Sequence, residues 1–203
     1  MSDRGVLIIL SGPSGSGKDT VLNKLVDGRD DVRVSVSMTT RAMRDGEIDG
    51  KHYYFVNREY FEKKIAEGKM LEYAEYAHNY YGTPREPVEE MLRAGKSVIL
   101  KIEVQGAEKI RRIFPDVTSI FLLPPSMRVL EERLRGRGSE DEETLHHRLV
   151  IAREELRRAY DYDYVVINDT VESAVKGIET VIEAESKKTA RNKNLISEVI
   201  DNV

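Results

Sequence analysis

Residues Gly12-Pro13-Ser14-Gly15-Ser16-Gly17-Lys18-Asp19-Thr20 place a lysine after small residues in the spacing G-x-x-x-x-G-K. Small residues at this spacing let successive backbone N–H groups converge on phosphate oxygens, and the lysine brings a mobile positive charge to the outer phosphates. The apolar run Val6–Leu10 precedes the loop, and Val21, Leu22, Leu25 and Val26 follow it on one helical face. The loop therefore joins a buried strand to a helix, whose N-terminus adds partial positive charge at the same point. A turn that is rich in glycine for structural reasons alone needs neither Lys18 nor a strand before it. The chemistry implied is the binding of a nucleoside triphosphate.

Other residues could serve a second phosphate. Arg41 and Arg44 stand three apart, and a guanidinium fork matches phosphate oxygens with paired, charge-assisted hydrogen bonds. Arg135-Gly136-Arg137-Gly138 forms a hinge-like turn between two helical stretches. Arginines on such a turn suit a lid over a transferring phosphoryl group, because that charge spreads over equatorial oxygens. His52, His78, His146 and His147 show no metal-ligand spacing and read as surface or partner-bonded side chains.

The elements that must position these groups alternate strand and helix, which predicts an α/β fold with a mostly parallel sheet. Strands are predicted at Val6–Leu10, Val32–Ser37, Ser97–Ile102, Thr118–Leu123 and Tyr164–Ile167. The first helix stops at Gly28, another runs from Arg58 to Glu67 between Asn57 and Gly68, and others cover Pro87–Ala94 and Ala107–Ile113. Ser126 reads as the N-cap of a helix reaching Arg135, and Ser139-Glu140-Asp141-Glu142 has capping-box spacing for a long helix towards Ala159. A last helix follows Asn168-Asp169, after which the polar tail Lys187–Val203 is expected to fray or dock weakly. Residues 38–84, rich in glycine, tyrosine and charge with only short strand signals such as His52–Val56, read as an inserted lobe. The whole chain 1–203 is then one domain: a core of 1–37, 85–125 and 160–203, the lobe 38–84, and a lid at 126–159.

Composition narrows the function classes. The 203 residues are 40% hydrophobic and 33% charged, enough for a core and a well-hydrated surface. No run approaches the ~18–20 apolar residues of a membrane span, and the start Met1-Ser2-Asp3-Arg4-Gly5 has no secretory-signal pattern. A net charge of −4 argues against bulk nucleic-acid binding. The absence of cysteine excludes disulfides and thiolate metal sites and agrees with a cytoplasmic location.

Several ordered blocks extend the loop into a resemblance. They are Ser35-Val36-Ser37-Met38-Thr39-Thr40-Arg41, Arg44-Asp45-Gly46-Glu47, Gly50-Lys51-His52-Tyr53 and Asn79-Tyr80-Tyr81-Gly82-Thr83-Pro84, followed by Glu103-Val104-Gln105-Gly106, Leu134–Gly138 and Val166-Ile167-Asn168-Asp169. Over residues 5–185 the chain resembles the guanylate kinases, P-loop enzymes that phosphorylate GMP with ATP. The resemblance implies that the acceptor phosphate lies against Arg41, Arg44, Tyr53 and Tyr81, with Glu47 organising the arginines. Glu72 matches the family's guanine-binding glutamate, and Ser37 and Thr83 match hydroxyls that contact the base. A carboxylate accepts from guanine N1–H and its N2 amine together, a donor pair that adenine lacks. Glu103 stands at a strand end where the family usually has aspartate, and is assigned to the GMP and metal-facing side. Lys18, Arg44, Arg137 and Arg148 are the expected catalytic residues. The loop residues Gly12 to Thr20 hold ATP, and Asn168 and Asp169 border its adenine.

Three departures qualify this pattern. Asp19 replaces the Ser or Thr that usually follows the loop lysine, so the Mg²⁺ expected with ATP is not assigned a direct protein ligand; Mg²⁺ readily keeps its waters. Met43 stands where proline is common. Lys101 replaces a commonly acidic residue and is left outside the expected site. The alternatives are a ribose 1,5-bisphosphate kinase, whose loop is similar, and a non-catalytic guanylate-kinase-like binding module. The expected partners are ATP and GMP, with no nucleic acid and no membrane, in a monomer or homodimer.

Overall fold

The computed structural model describes residues 4–136 and 141–201. In chain order the elements are β1 (Leu7–Ser11), α1 (Lys18–Val26), β2 (Val32–Val34), β3 (Met38–Thr39), β4 (Tyr54–Phe55), α2 (Arg58–Ala66), β5 (Met70–Tyr76) and β6 (Asn79–Pro84). They continue with α3 (Arg85–Arg93), β7 (Ser97–Lys101), α4 (Val104–Ile113), β8 (Thr118–Leu123), α5 (Met127–Arg135), α6 (Glu142–Arg157), β9 (Tyr164–Ile167), α7 (Val171–Ser186) and α8 (Lys193–Asp201).

Five strands form a parallel sheet in the order β2-β7-β1-β8-β9. β1 is central and buried at every residue, which explains its unbroken apolar run: helices cover both faces. Ile8 and Leu10 pack with Val21, Leu22 and Leu25 of α1 and Ala174 and Ile178 of α7. Leu7 and Ile9 pack on the other face with Val88 and Leu92 of α3 and Ala107 and Ile110 of α4. Because β7 and β8 flank β1 on opposite sides, the connections part at its C-terminal end, where open α/β sheets leave a crevice. The phosphate loop lies at that end.

A second sheet, β4-β3-β6-β5, is mixed: β3 pairs parallel with β4 and antiparallel with β6. Phe61 of α2 packs beneath it with Met38 and Met70 and stacks on Tyr80 at 5.1 Å. α5 and α6 pair through Leu130, Leu134, Leu145 and Ala152.

Several boundaries differ from the sequence-based expectation. β2 ends at Val34 rather than Ser37, because the chain crosses between sheets: Ser35 N donates to Ile99 O at 2.9 Å, and Ser37 O accepts from Tyr54 N in the second sheet at 2.8 Å. α4 begins at Val104, three residues earlier than expected, with Gly106 inside its first turn. The N-cap of α6 is Asp141, whose carboxylate accepts from Thr144 N at 2.7 Å; Ser139 and Glu140 lie outside the described residues. The tail carries helix α8, and Arg191 before it donates to Asp116 O at 2.7 Å. The largest omission was the β5–β6 hairpin. Its two-residue turn, Ala77-His78, has both residues at positive φ (47° and 63°), where Asn-Gly is the usual signal. By contrast Asn57 caps α2 and Ser126 caps α5, each accepting a first-turn N–H.

Candidate active site

The phosphate loop runs from the end of β1 into α1. Gly17 occupies the N-cap of α1 at φ 92° and has no side chain to spend on the first-turn N–H groups, which leaves them to an anion. A Cβ on Gly17 would fall 2.3 Å from Asn168 Nδ2, and that amide donates to Ser16 O at 2.7 Å. The buried Asn168 thus clamps the loop from the end of β9. Its own carbonyl accepts from Arg133 of α5 at 2.9 Å, so loop, sheet and α5 are tied at one point. Pro13, Gly15 and Ser16 are buried within this turn, whereas Thr20 and Asp169 are exposed. Lys18 curls back so that its ammonium donates to Gly12 O (2.5 Å) and Pro13 O (3.1 Å). Burial holds its pKa below the usual lysine value, opposed by the charges of Glu155 and Asp19.

A cavity of about 390 Å³ opens from this loop towards the second sheet. Of the residues singled out from sequence, Gly12, Ser14, Lys18 and Asp19 line its loop end, and Ser37, Tyr53, Glu72, Tyr81 and Glu103 line the rest. Two other clefts, around Leu7–Val117 and around Glu185, lie at the opposite, N-terminal ends of β1 and β8 and gather no comparable set of phosphate-binding groups.

At the far end Glu72 of β5 accepts from the Thr83 hydroxyl of β6 at 2.7 Å, and Thr83 is itself buried. Burial raises the Glu72 pKa, and the Thr83 hydrogen bond only partly offsets it. A Cβ at Gly106 of α4 would come 3.2 Å from Glu72 Oε2, so the missing side chain leaves that oxygen its room. Beside this pair, Tyr53 and Tyr81 meet edge to face at 6.1 Å, and the Arg41 guanidinium lies 5.6 Å from the Tyr53 ring centre. Arg41 is held two-pronged by Glu47, at 2.7 and 2.9 Å, and Glu47 also accepts from Arg44 N at 2.8 Å. The Arg41 hydrogen bonds first, and that backbone bond second, lower the Glu47 pKa to about 2. The Arg44 side chain is exposed at the same corner.

From the helix pair, Arg148 of α6 donates to Ser14 Oγ at 2.6 Å, which brings α6 onto the phosphate loop. Arg137 lies outside the described residues. Arg135 spans the two helices, paired with Glu131 and Glu142. The four histidines are exposed, and His52 Nδ1 accepts from Ile48 N at 2.9 Å.

Sequence reasoning missed three side chains here. Glu155 of α6 lines the cavity, and burial raises its carboxyl pKa, opposed by the charge of Lys18. Gln105 of α4 lines the same wall. Lys101, set aside as a departure, ends β7 in the cavity with its ammonium 2.6 Å from Asp19 Oδ1. For Glu155 the signal was hidden, since most other charged residues of its helix face solvent.

Among the described residues no three His, Cys, Asp or Glu side chains gather as a metal site. Asp19, at the position after the loop lysine, is engaged by an ammonium. These donors fit a Mg²⁺ that keeps most of its waters and is carried on phosphates, with Asp19 and Glu103 near enough to the loop to face that shell.

A phosphate loop at the switch point of a parallel sheet, facing a lobe with arginines and a half-buried carboxylate, defines a P-loop kinase of the nucleoside monophosphate class. The family model for guanylate kinase matches residues 4–185, and the chain belongs to that family. It is 52% identical over 174 residues to a guanylate kinase of Synechocystis sp., covering 86% of this chain and 91% of the relative. It is 50% identical to one of Streptococcus thermophilus, over 98% and 97% of the two chains. The crystal structure of guanylate kinase from Anaplasma phagocytophilum superposes with a TM-score of 0.75 at 39% identity, over 93% of this chain and 90% of that one.

Proposed function

We propose that this chain transfers the γ-phosphate of ATP to GMP, and to dGMP, giving ADP and GDP, and so serves guanine nucleotide synthesis and GMP recycling. The observation that carries the reading is a single cavity with Lys18 and the phosphate loop at one end and the Glu72–Thr83 pair at the other. Glu72 accepts guanine N1–H and N2–H, and Ser37 and Thr83 supply hydroxyls to the base edge. Arg41, set by Glu47, and Arg44 hold the acceptor phosphate together with the Tyr53 and Tyr81 phenols. Residues Gly12 to Thr20 hold the triphosphate, with Asn168 supporting the loop from beneath and Asp169 at its edge.

Transfer is direct and in line. An oxygen of the GMP phosphate attacks the γ-phosphorus, a new P–O bond forms, and the bond to the β,γ-bridging oxygen breaks with its electron pair leaving on ADP. The attacking oxygen is already anionic near neutral pH, so no general base is needed. Lys18, Arg148 and Arg137 stabilise charge on the transferring group, and closure of the lobe 38–84 and the lid 126–159 excludes water as a competing nucleophile. Asp19 and Glu103 would face a Mg²⁺ carried on the phosphates, which would supply neutralisation of phosphate charge. A cysteine-free chain with no described helix long and apolar enough to cross a membrane suits the cytoplasm, as monomer or homodimer. Product analysis tests the reading: MgATP and GMP should yield ADP and GDP in equal amounts. ADP release without GDP would refute it.

A further inference from the structure

Resting on that reading of the cavity as an ATP–GMP cleft, we infer that Lys101 is a second phosphate-binding lysine. It passes from Asp19 to the ATP phosphates and carries part of the charge neutralisation that otherwise falls to the divalent cation. Lys101 is the last residue of β7 and pairs in register with Leu10, one residue before Ser11 and the phosphate loop. Side chains alternate along β7: Val98 and Leu100 enter the core under α3 and α4, while Ile99 enters the core under α1. Lys101 shares the Ile99 side, so its ammonium arrives at the first turn of α1, on Asp19 Oδ1 at 2.6 Å. Both side chains line the cavity beside Gly12 and Lys18.

The pair is too exposed to matter for folding: Lys101 keeps 40% and Asp19 71% of side-chain accessibility. Its place is what gives it meaning. In a phosphate loop, the residue after the lysine is the one whose hydroxyl meets the metal. Here that residue is a carboxylate bound to an ammonium. A triphosphate offers the ammonium several anionic oxygens against one carboxylate, so ATP draws Lys101 across. The two lysines already sense each other, since the charge of Lys101 is among the influences that lower the Lys18 pKa.

Calorimetric titration of ATP into the full chain in EDTA, and again in excess Mg²⁺, tests this with a readout independent of turnover. Lys101→Met should weaken metal-free ATP binding about tenfold and MgATP binding much less. Lys101→Arg should stay close to the parent chain in both conditions, and Asp19→Asn should tighten metal-free binding. Melting curves check that each variant is folded, which the exposure of the pair predicts. Equal affinity of Lys101→Met and the parent for metal-free ATP would overturn the inference. So would an equal loss with and without Mg²⁺, or a loss in Lys101→Arg as large as in Lys101→Met. If the parent bound ATP but did not phosphorylate GMP, the functional reading would fail while the Lys101 result stood on its own.

Discussion

Replacing Glu72 by Gln isolates guanine recognition, because it keeps shape and removes charge. The carboxylate offers two acceptors; Thr83 already uses one lone pair of Oε1 at 2.7 Å, and the space left by Gly106 opens beside Oε2. Whichever way an amide turns, one acceptor becomes an N–H₂ donor facing a guanine donor. One charge-assisted hydrogen bond is lost, about 1.5–3 kcal/mol, and a guanine donor is left unsatisfied at about 1–3 kcal/mol. Together these come to about 2.5–6 kcal/mol, the lower end of which already means a fall of roughly seventyfold in kcat/KM for GMP. The ATP KM should move less than about twofold, since Glu72 lies at the other end of the cavity. The carboxyl pKa adds a second signature. Burial raises it above 4.5, so the GMP KM of the parent should climb as pH falls, beginning above the ordinary carboxylate range, and the Gln variant should lose that limb. The stability sign is opposite to that of an ion-paired acid: the contribution is present below about pH 4.5 and is lost as pH rises through the raised pKa. The variant should therefore melt no lower than the parent at pH 7. Steady-state kinetics from pH 5 to 8 with GMP and AMP read all of this. A GMP kcat/KM within about fivefold of the parent would refute the assignment of Glu72.

Lys18→Ala should cut turnover at least ~10³-fold with an unchanged circular dichroism spectrum; normal activity would reject the phosphate-loop mechanism. Glu47→Gln should raise the GMP KM about tenfold by releasing Arg41 from its two-pronged hold, with the ATP KM unchanged. Because the Glu47 pKa is lowered to about 2, its contribution to stability is present above pH 4.5 and drains away towards pH 2. The variant should accordingly show a flatter fall in Tm over that range, and an identical fall would contradict the pairing. Gly106→Ala puts a Cβ 3.2 Å from Glu72 Oε2 while improving helix propensity. It should raise the GMP KM several-fold without lowering Tm; a GMP KM equal to the parent's would show that Glu72 has room to move.

How much could be read from the residues followed from the strength of each local signal. β8 has the predicted bounds because its apolar run is buried in the parallel sheet and stops at Pro124-Pro125, and β9, an edge strand in which only Val166 is buried, is bracketed by Asp163 and Asn168. Asn57 and Ser126 were legible as caps because a side-chain oxygen before a helix has few other uses. The β5–β6 hairpin was not, since Ala77 and His78 adopt a turn that their residue types do not advertise, and most of β5 beyond Leu71 is exposed. The reason for Gly106 is not local to its motif, because it is the close approach of a carboxylate 34 positions earlier in the chain. Lys101 and Glu155 are illegible in the sequence for the same cause: each acts through a neighbour that only the packing of β7, α1 and α6 brings close.

The central claim is that the cleft between the two sheets takes a guanine monophosphate and passes it a phosphoryl group from ATP. Its most direct test is a coupled ADP-release assay with MgATP across GMP, dGMP, AMP, UMP and ribose 1,5-bisphosphate. GMP should give the highest kcat/KM, with AMP at least about a hundredfold lower, because adenine leaves the half-buried Glu72 without its donors. Faster turnover of AMP or of ribose 1,5-bisphosphate would contradict it.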